Sequence, residues 1–376
     1  MDLELSEDQK MLRATARDFL AKECPKQFVR EMEQDEKGYS PQLWLKMAQL
    51  GWLGLPFPER YGGGGGSFLD LVILLEEMGR ACLPGPFLSS VVLSGLPILA
   101  AGSEEQKQQF LPAIARGKIF TLALTEADGS YEAASIKTRA APDKDDYVIG
   151  GTKLFVPDAH IADYLLCLTR TKEGSSGAEG LSLFIVDAKN PGISYTPLIT
   201  IASDKQCEVV FGKARVPVTD ILGDLDQGWE VVEKTLQYAA IAKCAEMVGA
   251  AQQVLEMSVD YAKQRVQFDR PIGSFQAIQH HCANMLIDID GMRYLAYQAA
   301  WLLSEGLPAA KEVAMAKAWV SQAIRRVTAL GHQIHSGVGY TMDHDLQLYF
   351  RRGKAAEVLF GDANFHRELI ANQLGL

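Results

Sequence analysis

Apolar residues recur at helical spacing through the first third of the chain, with polar residues on the intervening positions. A Ser-x-x-Gln capping box opens two of these runs, one at Ser6 and one at Ser103. Between them, Gly62–Gly66 predicts a flexible surface loop, because a phosphate cradle would need a preceding strand and a Gly-Lys-Ser/Thr ending. We therefore expect residues 1–118 to form a helical domain.

Near residue 119 the pattern changes to short β-prone runs separated by turn residues such as Pro142-Asp143 and Gly150-Gly151. Seven short strands between 119 and 225 are typical of a small antiparallel β-barrel or sandwich. The predicted strands are Ile119–Thr125, Asp146–Ile149, Lys153–Val156, Tyr164–Thr169, Leu181–Val186, Ile193–Thr196 and Glu208–Phe211.

From about Gln227 the helical repeat returns and continues to the end of the chain. One long helix, followed by helices near 276–304, 310–335 and 346–373, predicts a four-helix bundle over 226–376. The predicted fold class is thus α+β with three domains: N-terminal helices, a middle antiparallel barrel or sandwich, and a C-terminal bundle. Without an alternating βαβ pattern or a Gly-x-Gly-x-x-Gly motif, a Rossmann dinucleotide fold is not expected.

Composition narrows the class of protein further. The 376 residues are 48% hydrophobic and 22% charged, with a net charge of −10 and no basic stripe, so a nucleic-acid partner is not expected. Six widely spaced cysteines without a Cys-x-x-Cys pair predict reduced, mostly buried thiols. The acidic start, residues 1–4, predicts no signal peptide, and the longest apolar run, Val91–Ala101, is too short to span a membrane. We expect a cytoplasmic protein.

The strongest motif for chemistry is the run from Arg265 to Gln276, at the end of the long helix. Arg265 offers a bidentate donor that suits a phosphate, Phe268 can cover a flat aromatic surface, and Gln276 can donate or accept a hydrogen bond. From the residues alone, a helix–loop–helix junction explains this run about as well as an anion site does.

This run resembles the signature of the acyl-CoA dehydrogenase family of flavoenzymes, Arg-x-Gln-Phe-x-x-Pro-Ile-x-x-Phe-Gln. Three further stretches resemble the family in the same order: Leu124-Thr125-Glu126 with Gly129-Ser130, Gly151–Val156, and Gln333–Tyr340. The resemblance covers essentially the whole chain.

The resemblance implies a two-electron oxidation of an acyl-CoA thioester, with FAD as cofactor and an electron-transferring flavoprotein as its oxidant. It implies a homotetramer, or a heterotetramer with a sister subunit, in which FAD lies across a subunit interface. The FAD contacts implied by matched positions are Leu124, Thr125, Ser130, Phe155, Val156, Arg265, Phe268, Gln276, Gln333 and Gly337.

The chain departs from the family where the catalytic base is expected. The usual base is a Glu directly before a Gly in the C-terminal loop, and the matching residue here is Phe360, before Gly361. Some members carry the base on the long helix instead, where this chain has Ala239. Neither side chain can accept a proton, so the resemblance leaves the catalytic residue unassigned.

Smaller departures concern the flavin. Pro157 stands where a Thr hydroxyl is common, Phe155 replaces the common Trp, and the loop carrying Ser130 is one residue shorter than usual. Proline has no donor on its backbone nitrogen, and phenylalanine keeps the stacking surface of tryptophan but loses the indole N–H.

Other ionisable residues have plain structural interpretations. Glu357 is expected on a solvated helix face but lies one turn before the base position, and Asp362 is either an N-cap or a site residue. Glu246 is expected in a salt bridge or in packing. The four histidines that could suggest a metal site are expected to be structural or exposed, and no metal site is predicted: His280, His281, His332 and His335. Arg351 and Arg352 are expected to form a basic pair that is either solvated or at an interface.

Three functions therefore compete. The chain is an active dehydrogenase with an unusual base that acts on a cyclic or otherwise atypical acyl group, or a base-lacking subunit of a heteromeric dehydrogenase, or an FAD-binding protein without catalysis. The sequence leaves the acyl group undetermined.

Overall fold

The computed structural model describes residues 4–375, so residues 1–3 of the acidic start, on which the signal-peptide prediction depends, lie outside it. The described residues contain eleven α-helices: α1 (Glu7–Glu23), α2 (Lys26–Gln34), α3 (Pro41–Gln49), α4 (Phe68–Ala81), α5 (Leu96–Ala101), α6 (Glu104–Ala115), α7 (Gly228–Gln264), α8 (Gln276–Ser304), α9 (Ala310–His335), α10 (Leu346–Val358) and α11 (Ala363–Leu374). A π-helix spans Leu88–Gly95.

The strands between α6 and α7 form one eight-stranded sheet: β1 (Phe120–Ala123), β2 (Arg139–Asp143), β3 (Asp146–Pro157), β4 (Tyr164–Arg170), β5 (Leu181–Asp187), β6 (Ile193–Leu198), β7 (Gln206–Pro217) and β8 (Ile221–Leu222). Their order is β6-β7-β3-β2-β4-β5-β8, and β1 pairs with β4. All pairs are antiparallel except β1 with β4 and a single bridge from β2 to β4. A two-stranded hairpin, β9 (Val266–Gln267) with β10 (Arg270–Pro271), follows α7.

The predicted fold class is confirmed: N-terminal helices, a middle β-sheet domain and a C-terminal helical bundle. By internal contacts the chain divides into two compact units, which differ from the three segments predicted along the sequence. The first unit, unit 1, contains 4–31, 68–83 and 240–375, and unit 2 contains 32–67 and 84–239.

Unit 1 is a helical bundle with a backbone-to-backbone helix crossing. Gly249 of α7 lies so close to α4 that an added Cβ would meet the backbone oxygen of Glu76 at 1.7 Å. A Cβ added at Gly79 of α4 would likewise lie 2.0 Å from the backbone oxygen of Glu246. Around this crossing, Tyr297 donates to the buried carboxylate of Glu76 at 2.7 Å. Glycine is required at both positions because any side chain would separate the helices.

Unit 2 packs its sheet around a core of buried aliphatic and aromatic side chains, with Phe184, Val209 and Phe211 among its members. Ser90 links the π-helix to the sheet, because its hydroxyl oxygen accepts a hydrogen bond from the backbone nitrogen of Phe120 at 3.1 Å. The loop Gly62–Gly66 is confirmed as a loop, and backbone hydrogen bonds to residues 54–57 hold it.

Four sequence predictions need correction in detail. The run 346–373 is two helices, broken at 359–362. Gly150-Gly151 is not a turn but lies inside β3, where the register against β7 shifts at a β-bulge. Pro142-Asp143 is not a separator but the end of β2, a strand that the sequence pattern missed. Predicted strands 146–149 and 153–156 are therefore one strand.

Both capping boxes are confirmed, since Ser6 and Ser103 each accept from the backbone nitrogen three residues on. All six cysteines are free thiols, and five of them are buried. Within residues 4–375, no helix combines the length and the apolarity needed to cross a membrane.

Candidate functional site

The first group of predicted FAD contacts lies in unit 2, where the end of β1 meets β3. The backbone nitrogen of Leu154 donates to Thr125 O at 2.9 Å, and the Thr125 hydroxyl donates to Leu154 O at 2.6 Å. These bonds bring Leu124 and Thr125 beside Phe155 and Val156. Leu124, Thr125 and Val156 are buried, so only their backbone or one edge can face a ligand.

A buried ion pair holds this junction in place. Lys153 is fully buried, and its Nζ donates to Glu126 Oε1 at 2.8 Å and to Leu124 O at 3.0 Å. Glu126 also accepts from the backbone nitrogens of Lys137 at 2.9 Å and Thr138 at 3.0 Å. Burial alone would raise the pKa of Glu126, but Lys153 and the Thr138 N–H bring it below its ordinary value. The sequence pattern indicates this role for neither residue, because Glu126 lies in the loop after β1 and Lys153 lies in β3.

Phe155 presents its ring outward from a distorted part of β3. The register against β7 shifts between Lys153 and Val156, and Phe155 has φ of 56°. Its side chain is 47% exposed, which is unusual for a phenylalanine within a strand. A non-glycine residue in the left-handed region costs of order 1–3 kcal/mol and persists only where the surroundings impose it. The geometry suits an aromatic ring held ready to stack on a flat ligand.

The shortened loop after Glu126 is ordered by its own side chains. Ser130 N donates to Asp128 Oδ1 at 3.2 Å, and Ser130 Oγ accepts from Glu132 N at 3.1 Å. Because that oxygen already accepts one bond, the Ser130 hydroxyl proton can still be donated to a ligand. Pro157 accepts a bond from the Thr121 hydroxyl through its carbonyl, so it serves the sheet rather than supplying a donor.

The second group of predicted contacts lies in unit 1, on the β9–β10 hairpin. Phe268 and Asp269 at the turn both have positive φ, 53° and 63°. The Phe268 side chain is 86% exposed at the tip, and its ring meets Phe275 edge-on at 6.1 Å. Arg265 is exposed, and its guanidinium makes no hydrogen bond or ion pair within residues 4–375. An exposed aromatic beside an unpaired guanidinium suits an anionic ligand with a flat ring.

A stacked pair of rings joins the last turn of α7, which precedes this hairpin, to the end of α9. Tyr261, one turn before Arg265, stacks on His335 with centroids 4.5 Å apart. Gln333 and Gly337, on either side of His335, are both exposed, as is Gln276 at the start of α8. Arg265, Gln333 and Gly337 thus belong to the same unit, in which this stack joins the end of α7 to the end of α9.

The rings of His332 and His335 are occupied by aromatic stacking. His332 stacks on Tyr340 at 4.8 Å, and His335 lies 5.0 Å from His344. Burial lowers the pKa of His332 and His335 below the ordinary value. Both therefore have the structural role that the sequence favoured.

Phe360, at the expected position of the base, lies in the break between α10 and α11. It has φ of 60°, and the next residue, Gly361, has φ of 93°. Asp362 is the N-cap of α11, because its Oδ1 accepts from the backbone nitrogens of residues 364 and 365 at 3.0 and 2.8 Å. Ala239, at the alternative base position, is fully buried on α7.

The remaining candidate carboxylates have cationic partners. Glu357 forms ion pairs with Arg325 at 3.2 Å and Lys354 at 3.0 Å, and its side chain is only 13% exposed. The prediction of a solvated Glu357 is therefore wrong. Glu246 pairs with Lys243, as expected.

Arg352 is also not solvated. It is half-buried, and its Nη1 donates to Cys82 O at 2.6 Å. The basic pair Arg351-Arg352 is therefore at least partly structural, because one member ties α10 to the end of α4.

Comparison with known proteins identifies the family of this chain. Models of the acyl-CoA dehydrogenase N-terminal, middle and C-terminal domains match residues 6–118, 121–214 and 226–375. A probable acyl-CoA dehydrogenase of Bacillus subtilis is 34% identical over 381 residues, covering 100% of both chains. The butyryl-CoA dehydrogenase of Megasphaera elsdenii has a TM-score of 0.93 at 29% identity, covering 100% of both chains. A chain of the ChsE4–ChsE5 complex from Mycobacterium tuberculosis has a TM-score of 0.91 at 30% identity, covering 100% of this chain and 99% of that one.

The fold and the site define an FAD-dependent oxidoreductase that acts on CH–CH bonds. The chain belongs to the acyl-CoA dehydrogenase family.

Proposed function

We propose that this chain binds FAD and an acyl-CoA thioester but lacks its own catalytic base, and that it works as a subunit beside a sister chain that carries the base. The observation that carries the proposal is Phe360 at the base position, with Ala239 at the alternative one. The roles of the three acidic candidates favour the heteromer over an unusual base in this chain. Asp362 is used as an N-cap, and Glu357 and Glu246 are ion-paired.

When bound, FAD supplies the acceptor for the hydride that leaves the substrate β-carbon. The contribution of this chain is to hold that cofactor. Arg265 offers an unpaired guanidinium for its phosphates, and Phe155 offers an exposed ring for stacking. The Leu124–Thr125 strand end, fixed by the Lys153 ion pair, presents backbone groups to its polar edge. The further contacts proposed are Ser130, Val156, Phe268, Gln276, Gln333 and Gly337.

We propose that the assembly is a tetramer and that its oxidant is an electron-transferring flavoprotein. Support for a multi-subunit state comes from Phe268, which is 86% exposed on its hairpin and would gain cover from a neighbouring subunit. A chain of the ChsE4–ChsE5 complex has this fold, which supports assembly with a different chain. Light scattering of the protein alone and after co-expression with a Glu-bearing family member tests the assembly. A monomer that keeps its full FAD content contradicts it.

Restoring the missing base tests the catalytic proposal. Since a positioned general base contributes about 10²–10⁴-fold, Phe360→Glu is expected to raise oxidation of butyryl-CoA by about tenfold or more. Phe360→Gln is the matched control, because glutamine has the same shape but accepts no proton at neutral pH. The gain is expected to grow with pH, since burial raises the pKa of the new carboxyl group. Rapid turnover by the wild-type chain alone, slowed by Phe360→Glu, contradicts the proposal.

A further inference from the structure

Lys317 of α9 is fully buried, and among the described residues 4–375 it is bonded only to neutral oxygens. Its Nζ donates to Ser321 Oγ at 2.9 Å, Gly361 O at 2.8 Å and Glu357 O at 3.0 Å, and lies 3.3 Å from Ala356 O. Burying an ammonium group costs free energy unless neighbouring groups replace its hydration. The position of Lys317, which has no carboxylate partner among the described residues, therefore needs a structural explanation.

Besides Ser321 Oγ on α9, the oxygens around Lys317 belong to the end of α10 and to the loop that follows. The last carbonyls of a helix have no partner within the helix, and a cation there also complements the helix dipole. The Lys317 ammonium donates to two carbonyls of the last turn, those of Ala356 and Glu357. It also donates to the carbonyl of Gly361, on the other side of Phe360 in the chain. One side chain of α9 thus fixes both ends of the segment that contains Phe360.

A second buried side chain holds the same segment from α11. His366 Nε2 lies 2.9 Å from Phe360 O. Gly361 cannot carry a side chain, because an added Cβ would lie 2.3 Å from the Phe365 ring. The positive φ of Phe360 is therefore imposed by tertiary contacts, whereas glycine adopts the positive φ of Gly361 without strain.

The charged and titratable groups around Lys317 come from three helices. Lys243 and Cys244 lie on α7, Glu357 on α10, and Asp362 and His366 adjoin or lie on α11. Burial lowers the pKa of Lys317 to about 8, and Lys243 acts in the same direction while Cys244, Asp362 and Glu357 oppose it. When the ammonium loses a proton, two donors remain for the four oxygens around it.

We infer that Lys317 is a positioning residue for acyl-CoA binding: it fixes the 359–362 segment and thereby the place of the Phe360 side chain at the substrate site. The identity of the ligand in this inference rests on the proposed function. That Lys317 fixes the 359–362 segment rests on its hydrogen bonds to the carbonyls on either side of Phe360. Lys317 does not touch the reacting atoms, so its removal alters how well substrate is bound and leaves the cofactor in place.

The test uses Lys317→Met, which keeps the apolar stem and removes the donors. Lys354→Met is the matched control, because Lys354 is an exposed lysine of α10 that pairs with the Glu357 side chain. Amide hydrogen exchange at residues 360–362 is expected to accelerate about tenfold or more in Lys317→Met and to remain unchanged in the control. The dissociation constant for butyryl-CoA, followed by flavin absorbance, is expected to rise about tenfold at unchanged FAD content, which corresponds to about 1.4 kcal/mol.

Two readouts separate positioning from a general loss of stability. Wild-type affinity for butyryl-CoA is expected to fall as the pH rises through about 8, and Lys317→Met is expected to lose that inflection. In Lys317→Ala, added n-propylammonium matches the deleted atoms and is expected to restore part of the affinity.

Unchanged exchange at 360–362, or unchanged butyryl-CoA binding in Lys317→Met, overturns the inference. If the wild-type protein itself binds no butyryl-CoA, the proposed function fails, and so does the assignment of acyl-CoA as the ligand. Exchange at 360–362 then decides by itself whether Lys317 fixes the segment.

Discussion

Lys153→Met is expected to destabilise unit 2 and loosen its hold on FAD. The substitution removes the ammonium from a pair in which Lys153 is fully buried and the Glu126 side chain is 8% exposed. Removing one partner of a buried pair costs about 3–5 kcal/mol, because the other charge stays buried. Glu126 keeps the backbone donors of Lys137 and Thr138, so we expect the lower end, about 3 kcal/mol. Leu124 O also loses its side-chain donor, which frees the strand end that is proposed to face the flavin.

A double-mutant cycle measures this coupling. Urea unfolding of Lys153→Met, Glu126→Gln and the double variant gives the three free energies of unfolding, and FAD content is read from absorbance. The double variant is expected to be less destabilised than the sum of the single variants by about 1–3 kcal/mol, since the second change removes the stranded charge. Additivity within about 0.5 kcal/mol would mean that Lys153 and Glu126 are not energetically coupled.

The same pair predicts a pH dependence with a definite sign. Because the folded state lowers the pKa of Glu126, its carboxylate contributes stability that is complete above the unfolded pKa of about 4.3. That contribution is lost as the pH falls through the lower folded pKa. The stability gap between wild type and Lys153→Met is therefore expected to be full at pH 7 and to narrow in acid. A gap that widens below pH 4.3 contradicts this assignment.

Three further predictions concern other parts of the chain. Burial lowers the pKa of His366 to about 4, so stability is expected to fall by up to about 3 kcal/mol as the pH drops from 6.5 to 4; acid unfolding of His366→Gln should lack this loss. Gly249→Ala is expected to cost at least about 3 kcal/mol, because its Cβ would lie 1.7 Å from a backbone oxygen of α4. Gly150→Ala, with open space around it, is the control in thermal unfolding. Arg265→Ala is expected to weaken FAD binding by about 1.5–3 kcal/mol, measured by FAD titration, whereas Lys263→Ala in the last turn of α7 should leave it unchanged.

Local signals in the sequence predicted much of the fold. The capping boxes at Ser6 and Ser103 act over three residues, so their pattern alone specifies the helix start. The helices 276–304 and 310–335 were predicted at the observed bounds, because their apolar repeats are long and end at turn residues.

The errors come from places where tertiary contacts override a local signal. Pro142 suggested a turn, but it lies at the end of β2 that pairs only with β3, where a strand tolerates a residue without an N–H. Gly151 suggested a turn as well, but it has φ of 149°, and an added Cβ would lie 2.6 Å from the Thr138 hydroxyl. The break at 359–362 depends on Lys317, which is more than forty positions away in the sequence.

The candidate site divides along the same line. Sequence motifs were enough to predict Arg265, Phe268 and Gln333 as site residues, because a family match detects residue types at fixed spacing in the chain. The residues that hold the site in shape, such as Lys153 and Glu126, meet only after folding and carry no spacing signal of their own.

The discontinuous make-up of unit 1 has a consequence for synthesis of the chain on the ribosome. Unit 1 combines the early segments 4–31 and 68–83 with the late segment 240–375, which is synthesised last. Unit 2 ends at residue 239 and is therefore synthesised completely before that late segment. At about 5–20 residues per second, α4 emerges roughly 10–30 s before the partners that cover its Gly79 face. The β-rich unit can therefore fold while the early helices still expose apolar surface. A nascent chain stalled near residue 240 should bind chaperones through 4–31 and 68–83.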